Sequence, residues 1–548
     1  MAQAGITGVS ASGSSPPGAI GASGGPGLSF RAIGRSAAIL TGAAAGVQVL
    51  GVVREVFVAA QVGLSPEYDA LLVALILPTT LAGVLTAGTI TAMVPAYLEI
   101  RDHRSRDEAR RLAGAIASWV GLGGLALWLF VEALGSVAVT IAGPGLSTAT
   151  HNSAMGYLHL VAPLAFISAV SGVLYGVCQA EEHFAAIAWS GMAGSAVTLA
   201  TTLMLWHSLH LGALALGNLF GPIVGAAILL ASAVRASIMP RLTLWTSREE
   251  LTAFGRHAAP LTLSSAILQV NGVADRAIAS IIAPGAISAL RYADVLVRTP
   301  IGAISPAWGT ALYPSLVRVA LEAGSALSSA TERSIRYALA LFVPVASLTI
   351  AVAPVAVAVG YGRGAFGSLD IARTAQAVAA FAPLIVILMC YPPLTGALNA
   401  RRRGGVLLAA GMMNVVLNLA LDIVLGAWIG AAGVALSSSL TAILVVVFFS
   451  SRLSKSEIEF RLAPIARTLL LAMVASLPVA VPIGALAWLG LVPSGTFVGL
   501  LALIAFGAIG ILGYLIFAVR LGLDEARDFR QLAVEWVARR RSAAGASR

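Results

Sequence analysis

Two groups of ionisable residues interrupt apolar runs of this 548-residue chain. The first is Arg54, Glu55 and Asp69; the second is Asp275, Arg276, Arg291, Asp294 and Arg298. A charge at the middle of a bilayer costs about 2.5–3.5 kcal/mol even on the lenient insertion scale, so such residues face a protein interior or a watery cavity. Arginine forks give bidentate, charge-assisted bonds and suit a diphosphate. Arg54, Glu55, Asp69, Asp275, Arg276, Asp294 and Arg298 are therefore candidate ligand-binding residues of one central cavity. The competing reading is internal neutralisation, Arg54 by Glu55 and Asp294 by Arg298, the latter pair four apart on one helix face. Asp275 and Arg276 are adjacent, and adjacent residues on a helix do not face each other. Arg291 is expected at the membrane interface, close to a loop.

The elements that carry these residues are hydrophobic spans. The chain is 58% hydrophobic and 11% charged, against about 25% charged in soluble domains. That makes it an all-α polytopic membrane protein. Apolar segments of span length, about 20 residues, number fourteen between residues 36 and 520. The first pair runs from Gly51 to Pro95 with a turn at Gly63–Glu67, and its second member carries Pro78, Gly83 and Gly88. Helix breakers at membrane depth are tolerated where freed backbone groups line a cavity or meet a neighbour. A broken, charged pair of spans is what the substrate path of a transporter looks like.

Alternate loops are basic, among them Arg101 to Arg111, Arg235 to Arg256, Arg401 to Arg403 and Arg452 to Arg467. The intervening loops are short and nearly uncharged, except the one holding Arg363 and Arg373; Glu181–Glu182 marks an acidic exception on the basic side. The positive-inside rule then places both termini in the cytoplasm. The same pattern disposes of nucleic acid as a partner despite the net charge of +10, because the cations spread over one membrane face. Cys178 and Cys390 lie in apolar spans and suggest no disulfide framework. Seven histidines are scattered without metal-ligand spacing, so no metal and no cofactor is expected. Asp422 is a candidate proton or cation site, or else a partner for Asn414 or Asn418 on a neighbouring helix.

The chain repeats itself. Gly51-Val52 with Arg54-Glu55 recurs 221 positions on as Gly272-Val273 with Asp275-Arg276. Pro78, Gly88-Thr89 and Pro95 recur as Pro300, Gly309-Thr310 and Pro314, and Gly191-Met192 as Gly411-Met412. The offset covers six spans, an even number, so the copies point the same way. That implies a parallel repeat about an axis along the membrane normal, with substrate bound between the halves. The expected organisation is a disordered, uncleaved tail (1–30), an N-lobe of six spans (31–234), a C-lobe of six (235–453), two further spans (454–520) and an amphipathic cytoplasmic tail (521–548).

GVVREVFVAAQVG, YDALLVALILP and AGTITAMVPAY, with VNGVADRAIASIIAPGAISALRYADVLVRTP in the second half, resemble the MurJ (MviN) family of the multidrug, oligosaccharidyl-lipid and polysaccharide exporter superfamily. The resemblance covers about 35 to 520. It implies a fourteen-helix flippase of lipid II, the undecaprenyl-diphosphate-linked precursor of peptidoglycan, in the bacterial inner membrane. It also implies a central cationic cavity and an apolar groove for the lipid tail by the last two spans. Membrane lipids and cell-wall synthesis proteins are the other expected partners. Arg54, Asp69 and Asp294 match the family pattern; Gln48, Ala82, Gly83, Ala87 and Val295 depart from it, which leaves another lipid-linked polysaccharide unit or a non-transporting cell-wall scaffold as alternatives. An enzyme of similar topology would want a sizeable loop with acidic catalytic residues on the uncharged side, and no such loop is present, so enzymatic activity is not expected.

Overall fold

The computed structural model describes residues 30–244, 248–302, 324–401, 403–456, 460–492, 495–528 and 531. The tail up to residue 29, Gly309-Thr310, Pro314 and most of the 521–548 segment lie outside them. Within the described residues the chain is helical, with no strand. Seventeen helices of eight or more residues run in chain order. They are α1 (Phe30–Val62), α2 (Pro66–His103), α3 (Arg106–Ala133), α4 (Gly135–Ala142), α5 (Thr148–Val161), α6 (Leu164–Ala180), α7 (Phe184–Leu209) and α8 (Leu211–Arg235). The second half holds α9 (Arg248–Ile282), α10 (286–302), α11 (Gly324–Tyr361), α12 (Ser368–Phe381), α13 (Pro383–Ala400), α14 (Gly404–Ile429) and α15 (Ala431–Ser456). α16 (Leu462–Trp488) and α17 (Thr496–Arg520) follow.

Three spans are each built from two helices. α5 and α6 part at Pro163, and α12 and α13 at Pro383, since proline has no N–H for the preceding turn. α3 gives way to α4 at Leu134, just before Gly135. With α5–α6 and α12–α13 each taken as one stretch and α3 without α4, twelve helical stretches among the described residues are long and apolar enough to cross a bilayer by length and composition. α9 and α10, which carry the polar residues of the second repeat, complete the fourteen. Local sequence sets where the spans begin. Ser65 caps α2, its hydroxyl accepting from the Tyr68 N–H at 3.2 Å, with Pro66 in the first turn and Glu67 and Asp69 facing the helix N-terminus. Ser105 caps α3 in the same way, accepting from the Glu108 N–H at 3.1 Å.

The six spans of α1–α8 and the six of α9–α15 form two lobes, and the repeat is visible where they meet. Gln269 of α9 lies over Gly83 of α2, and Gln48 of α1 lies over Gly302 of α10. The close approach of α2 and α9 rests on Gly88, where a β-carbon would stand 2.0 Å from Thr262 Oγ1 and 3.2 Å from the Thr262 α-carbon. At one end of the bundle, two turns cross between lobes. The α4–α5 turn reaches the end of α9, where the Gly145 N–H donates to Ser280 Oγ at 3.0 Å. The α11–α12 turn reaches the end of α1, where the Ala365 N–H donates to the Ala60 carbonyl at 2.8 Å. Gly364, at φ +60°, makes the second approach; a β-carbon there would lie 2.1 Å from the Ala60 oxygen. This end carries the weakly charged loops.

α16 and α17 pack on α11: Gly484 meets Ala351, Gly510 meets Leu348, and the Tyr514 hydroxyl donates to the Ala340 carbonyl at 2.6 Å. At the basic end, Glu181 is explained by its partners. Its carboxylate accepts from Arg106 at 2.6 and 3.1 Å and from the Tyr97 hydroxyl at 2.8 Å. Burial alone would raise its pKa; the Arg106 and Tyr97 bonds and the charges of Arg106 and Arg101 outweigh that and hold it below the usual carboxylate range.

Candidate functional site: an arginine-lined cavity between the lobes

The ionisable residues meet where α1 and α2 of one lobe face α9 and α10 of the other. Glu55 is 3% exposed and sits at the centre. Its Oε1 accepts from Arg54 Nη2 at 3.2 Å and from Arg291 Nη2 and Nε at 2.6 and 3.2 Å. Its Oε2 accepts from the Tyr68 hydroxyl at 2.8 Å. Adjacent helical residues rarely meet, yet Arg54 and Glu55 do, because the arginine stem is long enough to fold back. Glu55 thus ties α1 to α10, and the tie crosses between lobes.

Two cavities flank this cluster and share Arg54, Glu55 and Arg291 as a common wall. One, of about 340 Å³, is lined by Gln48, Ser195, Asp294 and Arg298 as well. The other, of about 240 Å³, is lined by Tyr68, Thr79, Asn218 and Arg276. Arg298 bonds Asp294 on its own helix, and its side chain is still 48% exposed. Arg54 Nε is buried with no hydrogen-bond partner. Four arginines against two carboxylates leave the site with a formal charge of +2. An excess of cations arranged in this way suits an anion, and planar forks favour one with several oxygens in reach.

Arg54, Glu55, Arg276, Asp294 and Arg298 line these cavities, whereas two candidates from the sequence stand elsewhere. Asp69 is 2% exposed and accepts from the Gly285 and Ser288 N–H groups at 2.6 and 2.8 Å. Asp275 turns into the second lobe. It accepts from Asn418 Nδ2 at 2.6 Å, and Asn418 also donates to Asp422 at 2.8 Å. Asp422 accepts from Ser437 as well, so Asn418 stands as the bridge between the two carboxyls. Two carboxylates bridged by one amide away from water repel, which makes the pair a candidate site for a shared proton or a monovalent cation. Within the described residues no cluster of three or more metal-ligating side chains occurs.

Arg291 corrects the expectation of an interfacial position: it is the residue that bridges to Glu55. Its spacing carried the signal, since Arg291, Asp294 and Arg298 stand three and four apart on one face of α10. Tyr68 and Asn218 gave no comparable signal, for neither is charged and neither repeats.

The sequence profile described as "Lipid II flippase MurJ" matches residues 58–507. A probable lipid II flippase MurJ of Thermotoga maritima is 23% identical over 75% of this chain and 83% of its own length. One of Rhizobium tropici is 25% identical over 88% of this chain and 94% of its own. Among solved structures, "Lipid II flippase MurJ, inward closed conformation" superposes with a TM-score of 0.72 at 21% identity, covering 87% of this chain and 97% of that one. An inward-facing multidrug resistance MATE transporter superposes with a TM-score of 0.58 at 16% identity, over 76% and 94% of the two chains.

Proposed function

The chain belongs to the lipid II flippase MurJ family, and from that premise we propose that it carries lipid II across the bacterial inner membrane for peptidoglycan synthesis by alternating access. Its family is one of transporters. The observation that carries the assignment of the site is the pair of adjoining cavities between the lobes, together +2 and walled by Arg54, Arg276, Arg291 and Arg298. The lipid-linked diphosphate is the part of the substrate with matching charge and oxygens.

The weakly charged end faces outward and both termini face the cytoplasm, as the loop charges require. Ser208, exposed at the α7–α8 turn, and Lys455, exposed at the opposite end, test this. A cysteine at Ser208 is labelled by a membrane-impermeant maleimide in intact cells, and one at Lys455 only after permeabilisation; the reverse pattern inverts the orientation.

The polyprenyl tail lies along α16 and α17. These helices expose Leu470, Val481, Ile504 and Leu512, and apolar surface of this kind faces lipid. The glycan is held by uncharged groups such as Asn218 and Gln48. Gly83, one of the positions that depart from the family pattern, is covered by Gln269, and this departure favours a second reading, another glycan on the same diphosphate carrier. Depletion of the protein decides between them. Lipid II accumulating on the inner leaflet supports the first reading and a different lipid-linked glycan the second; no accumulation of either removes the transport role.

A further inference from the structure

Glu55 divides its two oxygens unequally. Oε1 serves both guanidinium groups, Arg54 and Arg291, while Oε2 is taken by the Tyr68 hydroxyl at 2.8 Å. Tyr68 is 1% exposed. Its place is fixed by the Ser65 cap of α2 and by the Tyr292 ring, 5.4 Å away between centroids. Tyr292 in turn packs at a tilt against Tyr361, 4.9 Å between centroids, and edge-on against Phe366 at 5.5 Å. Phe366 follows Ala365, whose N–H holds the end of α1. The ion pair at the cavity and the turn that closes the outer end are therefore joined by packed rings.

The Tyr68–Glu55 bond lies within one lobe, between α1 and α2. The Glu55–Arg291 bond crosses to α10 of the other. When the lobes part at the outer end, Arg291 leaves Glu55 and Tyr68 stays. A buried carboxylate stripped of a cation needs hydrogen bonds to remain charged. In the closed state the same hydroxyl occupies Oε2, so Arg291 engages one oxygen only. Without the hydroxyl, the carboxylate rotates about a soft terminal torsion and offers both oxygens to the guanidinium fork. Both effects act in one direction: the hydroxyl weakens the lock and stabilises the released state.

Building on the alternating-access reading above, we propose that Tyr68 is a positioning residue that, through Glu55, sets how readily the outer end opens. Its ring borders the smaller cavity, but its hydroxyl is spent on Glu55. It keeps the interlobe ion pair breakable, and it leaves Arg54 with an unused Nε toward which an arriving diphosphate oxygen is drawn.

The test uses the full-length protein in membrane vesicles with a reporter cysteine at Ser288, which is buried at the outer end; the buried native Cys178 and Cys390 serve as the background control. Without any ligand, Tyr68→Phe is expected to slow outside labelling of the reporter about 10-fold, the effect of losing one hydrogen bond to a charged group. Because Phe keeps the ring contact with Tyr292, loss of packing is not the cause; Tyr68→Leu, which removes both, reports what packing contributes. The decisive comparison is a double-variant cycle. In a Glu55→Ala background the reporter labels fast, and adding Tyr68→Phe changes nothing. Unchanged or faster labelling in Tyr68→Phe overturns the proposal, and so does a Tyr68→Phe effect that persists without Glu55. A polyprenyl diphosphate added to the parent tests the diphosphate reading on its own: failure to speed labelling rejects that reading, while the ligand-free comparison still decides the role of Tyr68.

Discussion

Asp69 of α2 caps α10 across the lobe boundary: its carboxylate accepts from the Gly285 N–H at 2.6 Å and from the Ser288 N–H at 2.8 Å. The first turn of a helix has N–H groups with no partner inside the helix, and a carboxylate there satisfies them and meets the positive end of the dipole. Here the cap comes from the other lobe, so it holds only while the outer end is closed. Asp69→Ala is expected to cost the closed state about 0.5–2 kcal/mol, the range for loss of a cap. Asp69→Asn keeps an acceptor oxygen and is expected to cost less. Outside labelling of a cysteine at Leu64, which packs against Gly285, should rise in the order wild type, Asn, Ala. If polyprenyl-diphosphate affinity falls while labelling stays constant, Asp69 acts on the substrate and not on closure.

Gly364 makes a parallel prediction at the other interlobe turn. Its φ of +60° disfavours any β-carbon, and a methyl group would lie 2.1 Å from the Ala60 carbonyl oxygen. Strain of this kind costs of order 1–3 kcal/mol. Gly364→Ala should lift the turn off α1, raise outside labelling and slow transport, with the protein still accumulating in the membrane. Gly367, with nothing near its β-carbon position, is the control, and Gly367→Ala should behave as wild type. Equal effects at both positions would show that the turn tolerates neither change for reasons of its own conformation.

The helical class and the span count were legible because burial in lipid leaves plain marks, length and apolarity. Arg54 and Arg298 were legible as cavity residues for the same reason. Asp69 and Asp275 were equally conspicuous as charges, yet they serve backbone N–H groups and a neighbouring helix. A sequence records that a buried carboxylate needs partners and does not record whether those partners are protein or ligand. Arg291 shows the converse. Its closeness in sequence to the α9–α10 turn pointed to the interface, but α10 begins at that turn and runs inward, which puts Arg291 opposite Glu55. Tyr68 was illegible, since an uncharged ring in an apolar run reads as core until its hydroxyl is seen on Glu55.

Asp275 and Asp422 give a prediction about coupling. They touch the path only through α9, the helix that also carries Arg276 into the cavity. A proton or cation entering between them reorganises the contacts of α9 with α14 and α15. Asp422→Asn removes one of the two like charges and keeps the Asn418 and Ser437 partners in reach. The variant should bind polyprenyl diphosphate as wild type does, and its transport should no longer respond to a proton or cation gradient. Transport that keeps its gradient dependence would remove the pair from the coupling path.

Arg54 is the residue on which the substrate assignment turns. Its side chain is 19% exposed, lines both cavities and has a buried Nε with no partner. Only its Nη2 reaches Glu55, at 3.2 Å, while Arg291 holds the same oxygen at 2.6 Å. Arg54 is thus the weaker of the two partners of Glu55, and the pairing leaves most of its fork unused. Losing a hydrogen bond to a charged group removes about 1.5–3 kcal/mol, or roughly a 10- to 150-fold change in affinity. Arg54→Ala should weaken polyprenyl-diphosphate binding by that factor and cripple complementation at normal protein level. Arg54→Lys should recover part of the binding, because an ammonium keeps the charge and loses the fork. If Arg54 served only to neutralise Glu55, removing the charge of Glu55 would make it dispensable. Binding by Arg54→Ala should then be restored on addition of Glu55→Gln, which keeps the bond from Tyr68. We expect no such rescue, and full recovery in the double variant, read as binding affinity and complementation together, would reject the substrate role of Arg54.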